Sequence, residues 1–132
     1  MTADELTAAR RLRDTLFGVA RARSHGESPT AGDLHILNEF ADAPPLTPRI
    51  TPAGAPAWSP GSGTGLLSTV ARDAIDLMTG PYSHRIRTCA ATDCQLIYVD
   101  TSRPGRRRWC SMEHCGNRNK VRAHRARDPE KG

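Results

Sequence analysis

Four cysteines constrain this chain of 132 residues more than any other feature. Cys89 and Cys94 form one C-x4-C pair, Cys110 and Cys115 form a second, and fifteen residues separate the pairs. Two short pairs on tight turns, joined by a longer loop, can bring four sulfurs to one point. Within the loop, Gln95–Val99 has the β-branched and aromatic character of a strand, and Thr101–Gly105 (TSRPG) is turn chemistry. Arg106–Trp109 is then expected to return as the partner strand. Ser111 can cap a helix predicted over about Met112–Ala126, with Cys115 near its first turn. The arrangement expected is treble-clef-like, or a plain zinc ribbon with a trailing helix.

Zinc takes four thiolates tetrahedrally, usually from pairs spaced by two to four residues, so this spacing is at the wide end of that range. The first residues, MTADELTAARRLRD, are charged and lack the apolar core of a signal peptide. Nor does any window hold eighteen apolar residues, so no membrane span is expected. Both features point to the cytoplasm, where thiols stay reduced and metal is favoured over disulfides. An iron–sulfur centre and a catalytic thiol are the other readings of such cysteines, but no Cys–His pair stands apart from the cluster. His84 and His114 are alternative ligands that two equal pairs make unnecessary. A site closed by four cysteines leaves no position for a reacting water, so the chain is not read as an enzyme.

Charge is concentrated in the same stretch. Residues 1–84 carry seven Arg against nine Asp and Glu, whereas residues 85–127 carry eleven Arg and Lys against Asp93, Asp100 and Glu113. A net +8 over 43 residues is an electrostatic footprint suited to a polyanion. Arg106, Arg107 and Arg108 lie next to the cysteines, and their cations can offset part of the charge of a zinc tetrathiolate. In the predicted helix Arg118, Arg122 and Arg125 share a face, which Lys120, His124 and Arg127 extend. These are the candidate nucleic-acid contacts. Tyr98 and Trp109 are candidate stacking surfaces for RNA, or the packing between hairpin and helix.

The rest of the chain reads as mainly helical. Thr2-Ala3-Asp4-Glu5 has the capping-box form, and Leu6, Ala9, Leu12, Leu16 and Val19 follow at helical spacing, which predicts a helix over about 3–24 ending near Gly26. Ser28-Pro29 is expected to open a second helix with proline in its first turn, and Pro44-Pro45 to end it. Residues 44–65 hold six prolines and suggest a short irregular hairpin or a flexible linker; if ordered, Trp58 should dock. A third helix starts at Thr64 or Gly65 and ends at Gly80-Pro81. The expected fold class is mainly α with a small β component. Its organisation is a helical domain over 1–82, a metal module over 85–127 (hairpin, then helix) and a polar tail over 128–132.

RRWCSMEHCGNRNKVRAHRAR, with CAATDCQLIYVDTSRPG before it, resembles the CGNR zinc finger, named for Cys115-Gly116-Asn117-Arg118. That resemblance covers about residues 85–127. It implies one structural Zn2+ held by Cys89, Cys94, Cys110 and Cys115. The family joins this finger to an N-terminal ABATE domain, a mixed α/β module described as ligand-sensing, in regulators of transcription under stress. Residues 3–80 look like the later part of such a domain, and the absence of strand-forming residues before the first helix marks it as shortened. The function expected is a zinc-dependent, DNA-binding transcription regulator, with an RNA-binding module or a protein–protein adaptor as alternatives. One basic helix reads only a few base pairs, so a homodimer or a protein partner is expected.

Overall fold

A computed structural model of the chain describes residues 2–127; the tail expected over 128–132 lies outside them. The first helix, α1 (Ala3–Ser24), begins on the capping box: the Glu5 amide donates to Thr2 Oγ1 at 3.1 Å, and the Thr2 amide donates to Glu5 Oε2 at 2.8 Å. The second carboxylate oxygen of Glu5 accepts the Gly63 amide at 3.0 Å, which ties the start of α1 to the start of a later helix. At its other end α1 closes in a Schellman turn. Gly26 takes φ 70°, its amide donates to Arg23, and the Glu27 amide donates to Ala22.

Helix α2 (Ala31–Asp42) is capped by Thr30, whose hydroxyl accepts the Asp33 amide at 3.1 Å. Pro29 therefore precedes the cap and does not lie in the first turn, because the Thr30 hydroxyl is the one in reach of the free amide. Ala43 is extended (φ −68°, ψ 151°), as a residue before proline must be, and the helix stops there. Strands β1 (Pro48–Ile50) and β2 (Pro56–Trp58) pair antiparallel, with Pro48 opposite Trp58. Trp58 does not dock and is 59% exposed on this two-stranded ribbon.

Helix α3 (Gly63–Thr79) starts on Ser62, whose hydroxyl accepts the Gly65 amide. The three helices meet around buried Leu12, Leu37, Leu67 and Ala71, with Leu16, Phe40 and Ile75 packed at the margin. Each buried Leu contributes about 1.5–3 kcal/mol, so a core of this size leaves a thin margin. Ser68 is buried and donates to the Ala43 carbonyl at 2.6 Å, while Thr69 Oγ1 accepts the Leu46 amide at 2.9 Å. Through these bonds α3 holds the end of α2 and the start of the proline-rich segment.

A 3₁₀ turn (Ser83–Arg85) leads into β3 (Ile86–Thr88), which pairs antiparallel with β4 (Ile97–Val99) in the register Ile86–Val99, Arg87–Tyr98 and Thr88–Ile97. A hairpin precedes the helix as expected, but its pairing is corrected. The partner of β4 lies before the first cysteine pair, and Arg106–Trp109 is not a strand. Its backbone groups are engaged elsewhere. The Arg107 amide donates to Asp100 Oδ2 at 2.9 Å, the Arg108 carbonyl accepts the Ala90 amide at 2.8 Å, and the Arg107 carbonyl accepts the Tyr98 hydroxyl at 2.7 Å. Helix α1 packs against β3, where the Ser24 and Thr88 hydroxyls are 2.8 Å apart. After Ser111 comes one π-turn (Met112–Gly116), then α4 (Asn117–Arg127). The single helix expected from Met112 is thus a wider first turn followed by an α-helix. Among the described residues no helix is long and apolar enough to cross a membrane.

Candidate metal centre and basic helix

Each cysteine pair sits on a different local device. Cys89 follows β3 and Cys94 precedes β4, so the first pair occupies the tip of the ribbon. That tip is closed by the Cys89 amide on Leu96 at 2.9 Å and the Cys94 amide on Ala91 at 3.2 Å. Cys110 follows the arginine-rich strap, and Cys115 lies inside the π-turn. The Ser111 hydroxyl caps that turn by accepting the His114 amide at 3.1 Å, and the Gly116 amide reaches back to Ser111 at 2.9 Å. Gly116 is buried there. A Cβ at this position would lie 2.6 Å from Met112 Sδ, which would have to swing aside, and 3.1 Å from Trp109.

The four sulfurs converge to within 4.8 Å of one another, and none is in a disulfide. Cys94 Sγ is 3.9 Å from Cys110 Sγ, and Cys110 Sγ is 3.5 Å from Cys115 Sγ. Zinc–sulfur bonds of about 2.3 Å in a tetrahedron require sulfur–sulfur edges of about 3.8 Å, so the donor set fits one zinc ion. The electrostatics suit a cation as well. Burial pushes the Cys89 thiol up, but amide donors at Ala91 and Cys110 and the neighbouring thiols outweigh it and bring it to about 7. Cys115 is pushed up to about 12 by burial and then by the other three sulfurs. One thiolate forms readily and opposes the next; a divalent ion at the centre removes that opposition. His114 is exposed, and the four-cysteine cluster does not include it.

The predicted basic contacts fall into two groups. Arg107 is committed to the fold: it stacks 4.4 Å from the Tyr98 ring centre and donates to the carbonyls of Trp109 (2.8 Å) and Cys110. Arg108 lies 5.0 Å over Trp109, and Arg106 is exposed. Arg118 and Arg122 both turn to Asp93 in the ribbon tip, at 2.9 and 3.4 Å, and Arg118 also reaches Cys115 Sγ at 3.6 Å. By contrast Lys120, His124, Arg125 and Arg127 are exposed on α4, which has no buried residue and no acidic one.

Two acidic residues organise this region, and the sequence offered little sign of either. Asp93 gathers the helix arginines; its place beside Cys94, as one of few acids in a basic stretch, was the available signal. Asp100 is fully buried. Its Oδ1 accepts the Ser102 hydroxyl and the Ser102 amide (3.0 Å), and its Oδ2 accepts the Arg107 amide and Arg87 (3.2 Å). The Ser102 hydroxyl, helped by these amides and working against burial, holds the carboxyl at about 2. Asp100 thereby fixes the turn that delivers the strap, and with it Cys110, to the cluster.

No curated protein matches the chain. Residues 85–128 match the CGNR zinc finger. Residues 1–81 match the ABATE domain, described as "Putative stress-induced transcription regulator". The second match spans more than half of the chain, so this protein belongs to the ABATE family and carries a CGNR zinc finger after that domain.

Proposed function

We propose that this protein is a zinc-dependent, DNA-binding transcription regulator of the cytoplasm and not an enzyme. Cys89, Cys94, Cys110 and Cys115 ligate one structural zinc in a finger spanning 85–127, carried on a helical domain spanning 1–82. The observation that carries the proposal is α4: a helix without a carboxylate or a buried residue, rooted at the metal cluster and exposing Lys120, His124, Arg125 and Arg127. Exposed Arg106 and Arg108 beside the cluster add to this surface. Arg118 and Arg122 support it from behind through Asp93, and Arg122, the more exposed of the two, can exchange that carboxylate for phosphate. Arg107 serves the fold. RNA stacking on Tyr98 is disfavoured, since that ring is only 9% exposed beneath Arg107.

The test is duplex DNA binding by the zinc-loaded chain as a function of salt. About four phosphate contacts give a slope of log K against log salt of about −3.6. Arg125→Gln and Lys120→Gln should each flatten that slope by about one. Affinity indifferent to salt, or to both substitutions, would remove α4 from the account. A competition between duplex DNA and single-stranded RNA decides the nucleic-acid class.

A further inference from the structure

Strand β4 leaves one edge unpaired. The Cys89 amide donates to the Leu96 carbonyl at 2.9 Å and the Asp100 amide to the Arg85 carbonyl at 3.0 Å, at the two ends of its pairing with β3. Bonded and unbonded pairs alternate along an antiparallel ladder, so Arg87–Tyr98 is the bonded pair between them. The N–H and C=O groups of Ile97 and Val99 therefore point away from β3, and among the described residues none of them has a hydrogen-bond partner. Beside this edge lies an apolar groove of about 490 Å³. Leu16 and Phe17 of α1, Leu77 and Met78 of α3, and Ile97 and Val99 line it, and no lining residue is charged. Phe17 is 48% exposed. Soluble proteins blunt a free strand edge with proline, charge or a bulge. The other ribbon does so: Pro48 in β1 and Pro56 in β2 take outward-facing positions and carry no N–H. Gln95–Val99 (QLIYV) has no proline, glycine or charge.

We propose that β4 pairs with β4 of a second copy of this chain. The edge is complementary to itself. An antiparallel twofold centred on Tyr98 sets Ile97 opposite the partner's Val99, and Val99 opposite the partner's Ile97. Every free N–H then meets a free C=O. Directly opposed residues share a face, so the partner's Ile97 and Val99 extend the apolar surface beside Phe17. With no charge in the groove, the two copies bring no like charges together there. A two-stranded ribbon is marginal by itself, and the pairing merges two of them into one sheet. The dimer carries two α4 helices, as readers of paired half-sites do. That consequence rests on the α4 proposal; the pairing itself does not.

The experiment is sedimentation equilibrium of the zinc-loaded full chain without DNA, combined with amide exchange over a range of protein concentration. A concentration-dependent dimer is expected. The Ile97 and Val99 amides should slow as the dimer fraction rises, while the Tyr98 amide, bonded to β3, is slow throughout. Phe17→Glu places a charge in each groove from an exposed helix position and should weaken association at least tenfold. Ile97→Pro removes a free N–H at no cost in ladder bonds and should do the same. Zinc content and melting temperature check that each variant is folded. Phe17→Glu leaves the strand intact, so the test stands even if Ile97→Pro does not fold. A monomer at every concentration, a dimer whose Ile97 and Val99 amides stay fast, or wild-type association in Phe17→Glu would overturn the pairing. A monomer whose two amides slow only with an added strand-forming peptide of unrelated sequence would give the edge to a different protein and also overturn it. Association is read without DNA, so its failure is distinct from failure of the α4 proposal.

Discussion

Arg118 gives the sharpest separation of a metal-supporting role from a nucleic-acid contact. Its guanidinium bonds Asp93 at 2.9 Å and Cys115 Sγ at 3.6 Å, and its Nε is buried without a partner. A side chain aimed at a ligand sulfur stabilises the thiolate, and hence zinc, more than it serves a phosphate. The pair with Asp93 is partly exposed (36% and 45%), so it contributes about 0.2–1 kcal/mol. The contact to sulfur is long, and a charge-assisted bond of that kind adds about 1 kcal/mol. Arg118→Gln should therefore lower zinc affinity about tenfold, or about 1.4 kcal/mol, at the lower end of what outer ligand supports contribute. The assay is competition for zinc against a chromophoric chelator at neutral pH, with Arg125→Gln as a control that should leave zinc affinity unchanged. Unaltered zinc affinity in Arg118→Gln, accompanied by lost DNA binding, would refute the reasoning and return Arg118 to the contact surface.

Removing zinc with a chelator should disorder the β3–β4 ribbon, its tip and α4 while the α1–α3 core persists, because structural zinc contributes on the order of 10–16 kcal/mol in small fingers; amide exchange should collapse over 85–127 and remain protected at Leu12, Leu37 and Leu67. Zinc affinity should rise with pH from about 6 to about 9, since the metal needs thiolates and must displace the proton that Cys115, pushed up to about 12, holds most tightly; a flat profile would show that the thiols are already ionised. Leu12→Ala, at a site only 2% exposed, should cost about 2–5 kcal/mol in chemical denaturation of the helical core. Trp58→Ala, on the uncovered ribbon, should stay within about 0.5 kcal/mol of the parent, and a larger loss would mean the ribbon packs on something.

Much of the helical part was legible locally. The Thr2–Glu5 box, Gly26 and Pro44-Pro45 punctuate apolar stripes with a period near 3.6, and each such signal acts within one turn of the chain. Pro29 misled because two candidate caps lie within three residues, and only the reach of the Thr30 hydroxyl separates them. The cysteine pairs were legible because ligand spacing is a covalent constraint. The partner of β4 was not. Ile86–Thr88 and Arg106–Trp109 are both short and basic, and three-residue strands carry no periodicity with which to choose between them.

Sequence alone therefore determined the helices, the four sulfurs and the basic character of the segment around them, because local geometry and charge count do not depend on what packs where. Tertiary structure decided which strand joins β4, that Trp58 stays uncovered, and how the basic residues divide: Arg107 stacks on Tyr98, Arg118 and Arg122 turn to Asp93, and Lys120, His124, Arg125 and Arg127 are left exposed. That division depends on where Asp93 and Asp100 lie in space. A carboxylate selects its partners by distance after folding, and no spacing along the chain encodes the choice.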